Sequence, residues 1–282
     1  MNAGALGFVL DGSVSVRPEG VGVVPVTIVV PCYNEEEGLP HLARRLAEVA
    51  EAFGERHPLS IILVDDGSTD ATWEVMQRHF GDDPRATCLR HDVNRGIAAA
   101  SLTGIMAARD EAVAVIDSDC TYDPALILDM LPLLAPDVSV VTASPYHPEG
   151  RVAGVPRWRI FLSHGASRGY RFLFRNKIAT YTSCFRLYRR SAVAALSVRN
   201  GGFIGVTEKL ALLDREGWRI CEVPALLEMR RYGQSKLQIR RAIVGHLRLM
   251  TEIARARALR QWTPRGGALT NHKLNTAGVH HE

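Results

Sequence analysis

"LSIILVDDGSTDATWEVMQRHF", residues 59–80, decides the fold class. Its first residues form a short, largely apolar run without sustained polar alternation, the pattern of a strand buried on both faces. Two acids, a glycine and small polar residues break that run. "DATWEVMQRHF" then follows at helical spacing, with Ser68 or Thr69 as candidate caps. A buried strand that passes directly into a helix is one step of a strand–helix–strand unit in a parallel sheet.

The same step recurs on either side. Upstream, "VPVTIVVP" (24–31) reads as a buried strand, and "EEEGLPHLARRLAEVAEAFGE" (35–55) as a helix. That helix places Leu39, Leu42, Leu46, Val49 and Phe53 on one face and acids at its start. Downstream come a strand "ATCLRH", a small-residue helix "GIAAASLTGIMAARD", a strand "EAVAVIDSD", a helix "PALILDMLPLLA" with Pro124 in its first turn, and a strand "VSVVTAS". The expected architecture is α/β, a mainly parallel sheet flanked by helices. Ligands of such sheets sit beyond the carboxyl ends of the strands. Three of those ends carry polar clusters, "PCYNEEE", "VDDGSTD" and "IDSD", which should therefore meet in one cleft.

Composition narrows the classes of function. The chain has 282 residues, 46% of them hydrophobic, enough for one large or two small domains. Its 34 basic and 30 acidic side chains leave a net charge of +4, without the basic excess of a nucleic-acid binder. The five cysteines show no C-x-x-C pair and suit a reducing compartment better than a disulfide framework. No apolar run is long enough to cross a bilayer, and the start lacks a signal-peptide pattern, so a cytoplasmic protein is expected. Residues 1–24 read as a loose leader, and 262–282 as a polar tail.

The three converging ends argue against a dinucleotide cofactor, because no G-x-G-x-x-G turn follows any strand, and no Walker-type loop is present. Three glutamates after the first strand would repel a bare pyrophosphate. A phosphorylated ligand in this cleft needs a bridging divalent cation, and Asp117 and Asp119 supply the hard oxygen donors that Mg2+ or Mn2+ prefers.

In this order and at these intervals, "PCYNE", "VDDGSTD", "NRGIAAA" and "DSD" resemble the catalytic domain of glycosyltransferase family 2, the GT-A fold. Further on, "TSCFRLYRRSAV", "GFIGVTEKL" and "EVPALLEMRRYGQSKL" are similar to segments of the dolichol- and polyprenyl-phosphate mannose synthases. The likeness covers roughly residues 25–255. It implies a catalytic domain over 25–238, followed by a basic amphipathic helix over 239–261.

The resemblance also implies roles. Pro31, Tyr33, Asn34 and Glu35 would line the nucleotide pocket, and Asp65 or Asp66 would meet the base or ribose. Asp117 and Asp119 would hold the metal on the donor diphosphate, with Ser118 near the ribose and Thr121 as a further metal-side contact. Arg230 and Lys236 match positions that meet phosphate oxygens. Arg159, Ser163 and Arg186 match positions near the acceptor. Glu208 is the candidate general base, or else a structural or positioning acid.

The implied activity is inverting, metal-dependent transfer of a sugar from a nucleoside diphosphate sugar to a polyprenyl phosphate. One alternative gives the sugar to a hydroxyl of a glycan, lipid or small metabolite, and a second is a non-catalytic nucleotide-sugar-binding protein. Three positions depart from the mannose synthase pattern: Thr180 replaces an acid, Cys184 a glycine, and Pro145 an arginine. All three fall on the acceptor half.

The helical segment "LQIRRAIVGHLRLMTEIARARALR" mixes Ile239, Ile243, Leu247 and Met250 with arginines. It can lie on the cytoplasmic face of a membrane as a peripheral anchor, or pack against the domain. Histidines 91, 147 and 164 show no metal-ligand spacing and read as ordinary polar residues.

Overall fold

The computed structural model describes residues 23–230, 232 and 239–259. The expected tail, nearly all of the expected leader and the candidate Lys236 lie outside the described residues. The chain runs β1 (Val26–Cys32), α1 (Leu39–Phe53), β2 (Leu59–Asp65), α2 (Thr72–Phe80), β3 (Ala86–Arg90), α3 (Ile97–Ala107) and β4 (Ala112–Val115). Next come α4 (Ile127–Met130), β5 (Val138–Ser144), β6 (Arg151–Val152), α5 (Arg157–Leu173), β7 (Arg186–Arg189) and α6 (Arg190–Ala194). The last elements are α7 (Phe203–Arg215), β8 (Arg219–Pro224), β9 (Leu226–Leu227) and α8 (Ile239–Ala258).

Seven strands form one sheet in the order β3-β2-β1-β4-β7-β5-β8, and β6 pairs with β9 beside it. Pairing is parallel except for β7, which runs antiparallel between β4 and β5. Alternation along β1 divides the core. Val26, Ile28 and Val30 pack with Leu39, Leu42 and Leu46 of α1, while Val29 on the opposite face packs with Ala100 and Ile105 of α3. The small residues of α3 let it lie close to the sheet, since a Cβ on Gly104 would come within 2.3 Å of Val29 Cγ1.

Local differences from the sequence reading have identifiable causes. Glu35 to Glu37 precede α1 rather than opening it, because Pro40 sets the first turn two residues beyond Gly38. Neither Ser68 nor Thr69 caps α2. Asp70 accepts from the Thr72 amide at 3.0 Å, and Glu36 reaches across from the β1 loop to the Ala71 amide at 2.9 Å. The stretch 124–135 is a broken run, one α-helical turn between two 3-10 turns, because Pro132 cannot donate within a continuous helix. β7 is the largest omission. Nothing local in "RLYR" signals a strand that inserts antiparallel between two parallel ones.

Candidate active site

The carboxyl ends of β1, β2 and β4 lie side by side, so the three polar clusters share one rim, as their positions after the strands require. After β1, Asn34 takes a left-handed conformation (φ 53°), which asparagine tolerates better than most residues. Its Oδ1 accepts from the Thr69 amide at 2.9 Å, and its amide donates to Ser68 Oγ at 3.0 Å. The Glu35 amide donates to Thr72 Oγ1 at 2.7 Å. The β1 and β2 loops are thereby stitched into one wall.

The two acids after β2 have different tasks. Asp66 is buried, and both its oxygens are occupied: Oδ1 by His91 Nδ1 at 2.7 Å and the Arg95 amide at 3.0 Å, Oδ2 by the Gly96 amide at 2.7 Å. It holds the loop that leads into α3. His91 is therefore no ordinary polar residue. It is buried between Asp66 and Thr103. Asp65 is also buried; its Oδ1 accepts from the Ser68 amide at 3.0 Å. Its Oδ2 is 3.0 Å from Arg90 Nε but poorly aligned, which leaves that oxygen an open acceptor position. Arg90 in turn lies over the Trp73 ring at 5.4 Å. Beside it opens a cavity of about 340 Å³ lined by Gly67, Ser68, Arg90, His91 and Asp92. A Cβ on Gly67, whose φ is +70°, would strike the Val93 backbone, so glycine is required at that turn. Trp73 and Arg90 were not among the sequence candidates; the signal that could have found them is their position in the first turn of α2 and at the end of β3.

Beyond β4, Asp117 and Ser118 lead into a tight turn. The Cys120 amide donates to the Asp117 carbonyl at 3.3 Å, Cys120 takes φ 50°, and the Thr121 amide donates to Asp119 Oδ1 at 3.2 Å. Thr121 thus touches Asp119 through its backbone. The Asp117 carboxyl is pushed up to about 7, chiefly by burial, then by Asp119; Arg230 and a hydrogen bond from the Cys184 thiol oppose that rise, and Glu35 adds to it. Cys184, which replaces the glycine of the resembling family, therefore stands against the donor-side acid Asp117 rather than on the acceptor half where the sequence reading put it, and it stays a protonated thiol because burial and Asp117 raise it well above its ordinary range.

Arg230 closes the site. One terminal nitrogen bonds Glu35 Oε2 and the other lies 3.7 Å from Asp119 Oδ2, so the guanidinium sits between the β1 and β4 clusters. Its segment is anchored nearby, where the Glu228 amide donates to the Thr121 carbonyl at 2.9 Å.

The donor set fits a hard divalent cation. Asp117 and Asp119 offer carboxylate oxygens under mutual repulsion, which a cation relieves. Among the described residues no three acidic, histidine or cysteine side chains form a metal cluster of their own, so further ligands would have to come from a bound phosphate or from water.

The acceptor-side candidates are less uniform. Arg159 and Ser163 lie one turn apart on α5. Ser163 Oγ is 2.7 Å from Thr182 Oγ1, and Arg159 Nε is buried without a hydrogen-bond partner. Two of the three departures are neighbours: Thr180 Oγ1 stands 2.8 Å from Ser144 Oγ, next to Pro145, so an acid and a base are missing from the same spot.

Arg186 does not face the cleft. It is fully buried under the sheet and donates to the carbonyls of Val206 and Tyr181 and, at 3.3 Å, to the Tyr188 hydroxyl. Glu208 is likewise buried. It accepts from the Asn200 amide (2.9 Å), Asn200 Nδ2 (2.7 Å), the Arg199 amide (3.3 Å) and Arg199 Nε (3.3 Å). It pins residues 199–200, and the adjacent Gly201 carbonyl accepts from the first amides of α3. One buried ion escaped the sequence reading altogether. Lys209 lies over the Tyr188 ring at 5.5 Å, and burial with the nearby Arg186 lowers it to about 7.

Residues 27–197 match the sequence family described as Glycosyl transferase family 2. The chain belongs to that family. Two curated relatives are similar over most of this family 2 chain. Glycosyltransferase AglD of Haloferax volcanii is 27% identical over 225 residues, covering 79% of the chain and 36% of the relative. Dolichol-phosphate mannosyltransferase of Pyrococcus furiosus is 26% identical over 215 residues, covering 76% and 59%. The chain thus spans less than two thirds of either relative.

Solved structures show the same GT-A fold. Mannosyltransferase PcManGT from Pyrobaculum calidifontis, in complex with GDP-Man and Mn2+, superposes with a TM-score of 0.56 at 19% identity over 83% of this chain and 64% of that one. Mannosyl-3-phosphoglycerate synthase from Rubrobacter xylanophilus gives 0.60 at 19% identity over 84% and 74%. Glucosyl-3-phosphoglycerate synthase from Mycobacterium tuberculosis, in complex with Mn2+, UDP-glucose and phosphoglyceric acid, gives 0.55 at 20% identity over 86% and 82%.

Proposed function

We propose that this family 2 chain is an inverting, metal-dependent glycosyltransferase, moving a sugar from a nucleoside diphosphate sugar to a polyprenyl phosphate. The observation that carries the donor half is Arg230 standing among Glu35, Asp117 and Asp119: a cation and acids at the rim where a diphosphate would leave. Mg2+ or Mn2+ held by Asp117 and Asp119 would neutralise charge on the departing diphosphate. Arg230 would add a fixed positive charge beside it, and Lys236 a second. Pro31, Tyr33, Asn34 and Glu35 would wall the nucleotide, with the Ser118 backbone near the ribose. Asp65, with an acceptor position open toward Arg90, is the better placed of the two acids to read the base. Thr121 would serve the metal side through its neighbour Asp119.

The acceptor half rests on Glu208. With its carboxylate committed to four donors, no candidate base from the sequence reading is left to deprotonate a hydroxyl. A phosphate acceptor is already an anion near neutral pH and needs only cations to position it. Arg159, with a buried, unpartnered Nε, and Ser163 are the candidates to receive it. The catalytic unit would extend over 25–238, with 239–261 as an appended helix.

One observation favours a second reading. Ser144 and Thr180 make the spot beside Pro145 neutral and hydroxyl-lined, which suits a sugar hydroxyl as acceptor. The deciding experiment incubates the full chain with GDP-mannose or UDP-glucose, Mn2+, and either a short polyprenyl phosphate or a panel of glycans and small hydroxyl acceptors. Mass spectrometry identifies the product. A polyprenyl-phosphate sugar that disappears in Asp117→Asn and Asp119→Asn supports the proposal. Product only on hydroxyls moves the acceptor to the second reading. Donor binding with no transfer to any acceptor makes the chain a nucleotide-sugar-binding protein.

A further inference from the structure

The acceptor wall holds a histidine whose ring is fixed in place while its nitrogens stay open. Two segments set it there. The turn after β5 is pinned at both ends: the Ala225 amide donates to the Ser144 carbonyl at 3.2 Å, and the Gly150 amide to the His147 carbonyl at 2.8 Å. A Cβ on Gly150 would come within 2.5 Å of the Ser144 carbonyl oxygen, so only glycine lets the turn close this tightly. The turn presents Tyr146, and α5 presents His164. Their rings stack with centroids 3.8 Å apart and planes 28° from parallel. The Tyr146 phenol reaches Ser163, the residue before His164, and Ser163 in turn bonds Thr182.

This stack fixes the plane of the imidazole without using its polar atoms. Tyr146 covers one face of the ring, and His164 is otherwise exposed. Neither ring nitrogen has a hydrogen-bond partner among the described residues. A side chain held in one orientation with its donors unspent is ordered in advance for a ligand.

Charge selects that ligand. α5 carries Arg157, Arg159, Arg168 and Arg171 and no acid. Arg159, one turn before Ser163, has a buried Nε without a partner and lies over the Trp158 ring at 5.3 Å. A histidine that takes a proton from a hydroxyl is ordinarily steered by a carboxylate on its second nitrogen, and no described carboxylate bonds His164. An imidazole among arginines, with no acid to turn it into a base, is arranged to donate to an anion. The spot also lacks a cation, since Pro145 beside Tyr146 stands where the resembling synthases carry an arginine.

We propose that His164, oriented by Tyr146, binds the phosphate of the acceptor, donating to a phosphate oxygen beside Arg159. The inference rests on the polyprenyl phosphate reading and adds to it the group that makes up for the arginine missing at Pro145.

The test titrates the full chain, with Mn2+ present, with geranyl phosphate and with geraniol as the uncharged control. His164→Ala, His164→Lys and Tyr146→Leu are compared with the wild type by calorimetry, and each melting temperature checks the fold. His164→Ala should weaken geranyl phosphate by about tenfold or more, the loss of a hydrogen bond to a charged group. His164→Lys should stay within about threefold of the wild type, because an ammonium also donates to phosphate. Tyr146→Leu should fall between them, and geraniol should not distinguish the four proteins. In the transfer assay the acceptor KM of His164→Ala should rise by the same factor, with kcat changing less. Undiminished binding of geranyl phosphate by His164→Ala overturns the inference and leaves the acceptor reading standing. So does an equal loss in the alanine and lysine variants, which makes the ring a packing element. Transfer to hydroxyl acceptors that both of these variants abolish makes His164 a base, and overturns it too. A wild-type chain that binds no geranyl phosphate removes the acceptor reading, and the inference falls with it.

Discussion

Arg230 lies 3.7 Å from Asp119 and bonds Glu35, although 195 positions separate it from that glutamate. The guanidinium is a cation that the two acidic loops share. Arg230→Met removes it while keeping much of the side-chain volume. Metal-free stability should fall by about 1–3 kcal/mol, the usual cost of taking one partner from a largely buried ion pair. Mn2+ should bind the variant more tightly in the absence of donor, because its competitor is gone, while the nucleotide sugar binds more weakly. Calorimetric titration with Mn2+ alone and then with donor checks both; an unchanged Mn2+ affinity would show that the arginine and the metal do not share the acids.

Glu208 gives a prediction that separates the roles its position in "GVTEKL" leaves open. Glu208→Gln keeps the shape but weakens four hydrogen bonds, two of them from backbone amides. The expected loss is about 1–3 kcal/mol of stability, with the Arg199–Asn200 loop loosened from α3. Turnover should drop only modestly, and the pH profile of kcat/KM should keep its shape. Disappearance of the basic or acidic limb of that profile would restore Glu208 as a proton acceptor.

How much could be read in advance follows the physics of each feature. The strand–helix alternation is a local property, so β1 through β5 and the rim formed by "PCYNE", "VDDGSTD" and "DSD" were legible. The antiparallel insertion of β7 was not, because strand order is fixed by packing between distant segments. Side-chain direction was equally hidden. Nothing in "TSCFRL" says that Arg186 points under the sheet, and "VDDG" does not reveal that Asp66 is a strut while Asp65 keeps an oxygen open.

That division of labour is testable. Asp66→Asn disturbs the bonds to His91 and to the amides of Arg95 and Gly96, so it should destabilise the fold by about 1–3 kcal/mol in thermal or urea unfolding. Asp65→Asn should cost less stability and instead change the preference among GDP-, UDP- and dTDP-sugars, measured as relative binding in the presence of Mn2+. If Asp66→Asn changed that preference while Asp65→Asn did not, the assignment would be reversed.

Lys209 makes a prediction about pH. Burial, with Arg186 adding repulsion, lowers its folded-state value to about 7 from an ordinary 10.5. Between those two values the unfolded chain holds a proton that the folded chain has released, so this group makes stability rise as pH increases across that window. Below about pH 7 both states are protonated, and the penalty for burying the ammonium is felt in full. Lys209→Met fills similar space without the charge. It should stabilise the protein by about 1–4 kcal/mol near pH 6, with the advantage shrinking steadily toward pH 10. Urea unfolding of both proteins across that range measures it. A difference that stays constant with pH would mean that the lysine keeps its proton in the folded protein, held by the Tyr188 ring 5.5 Å away more firmly than burial opposes it.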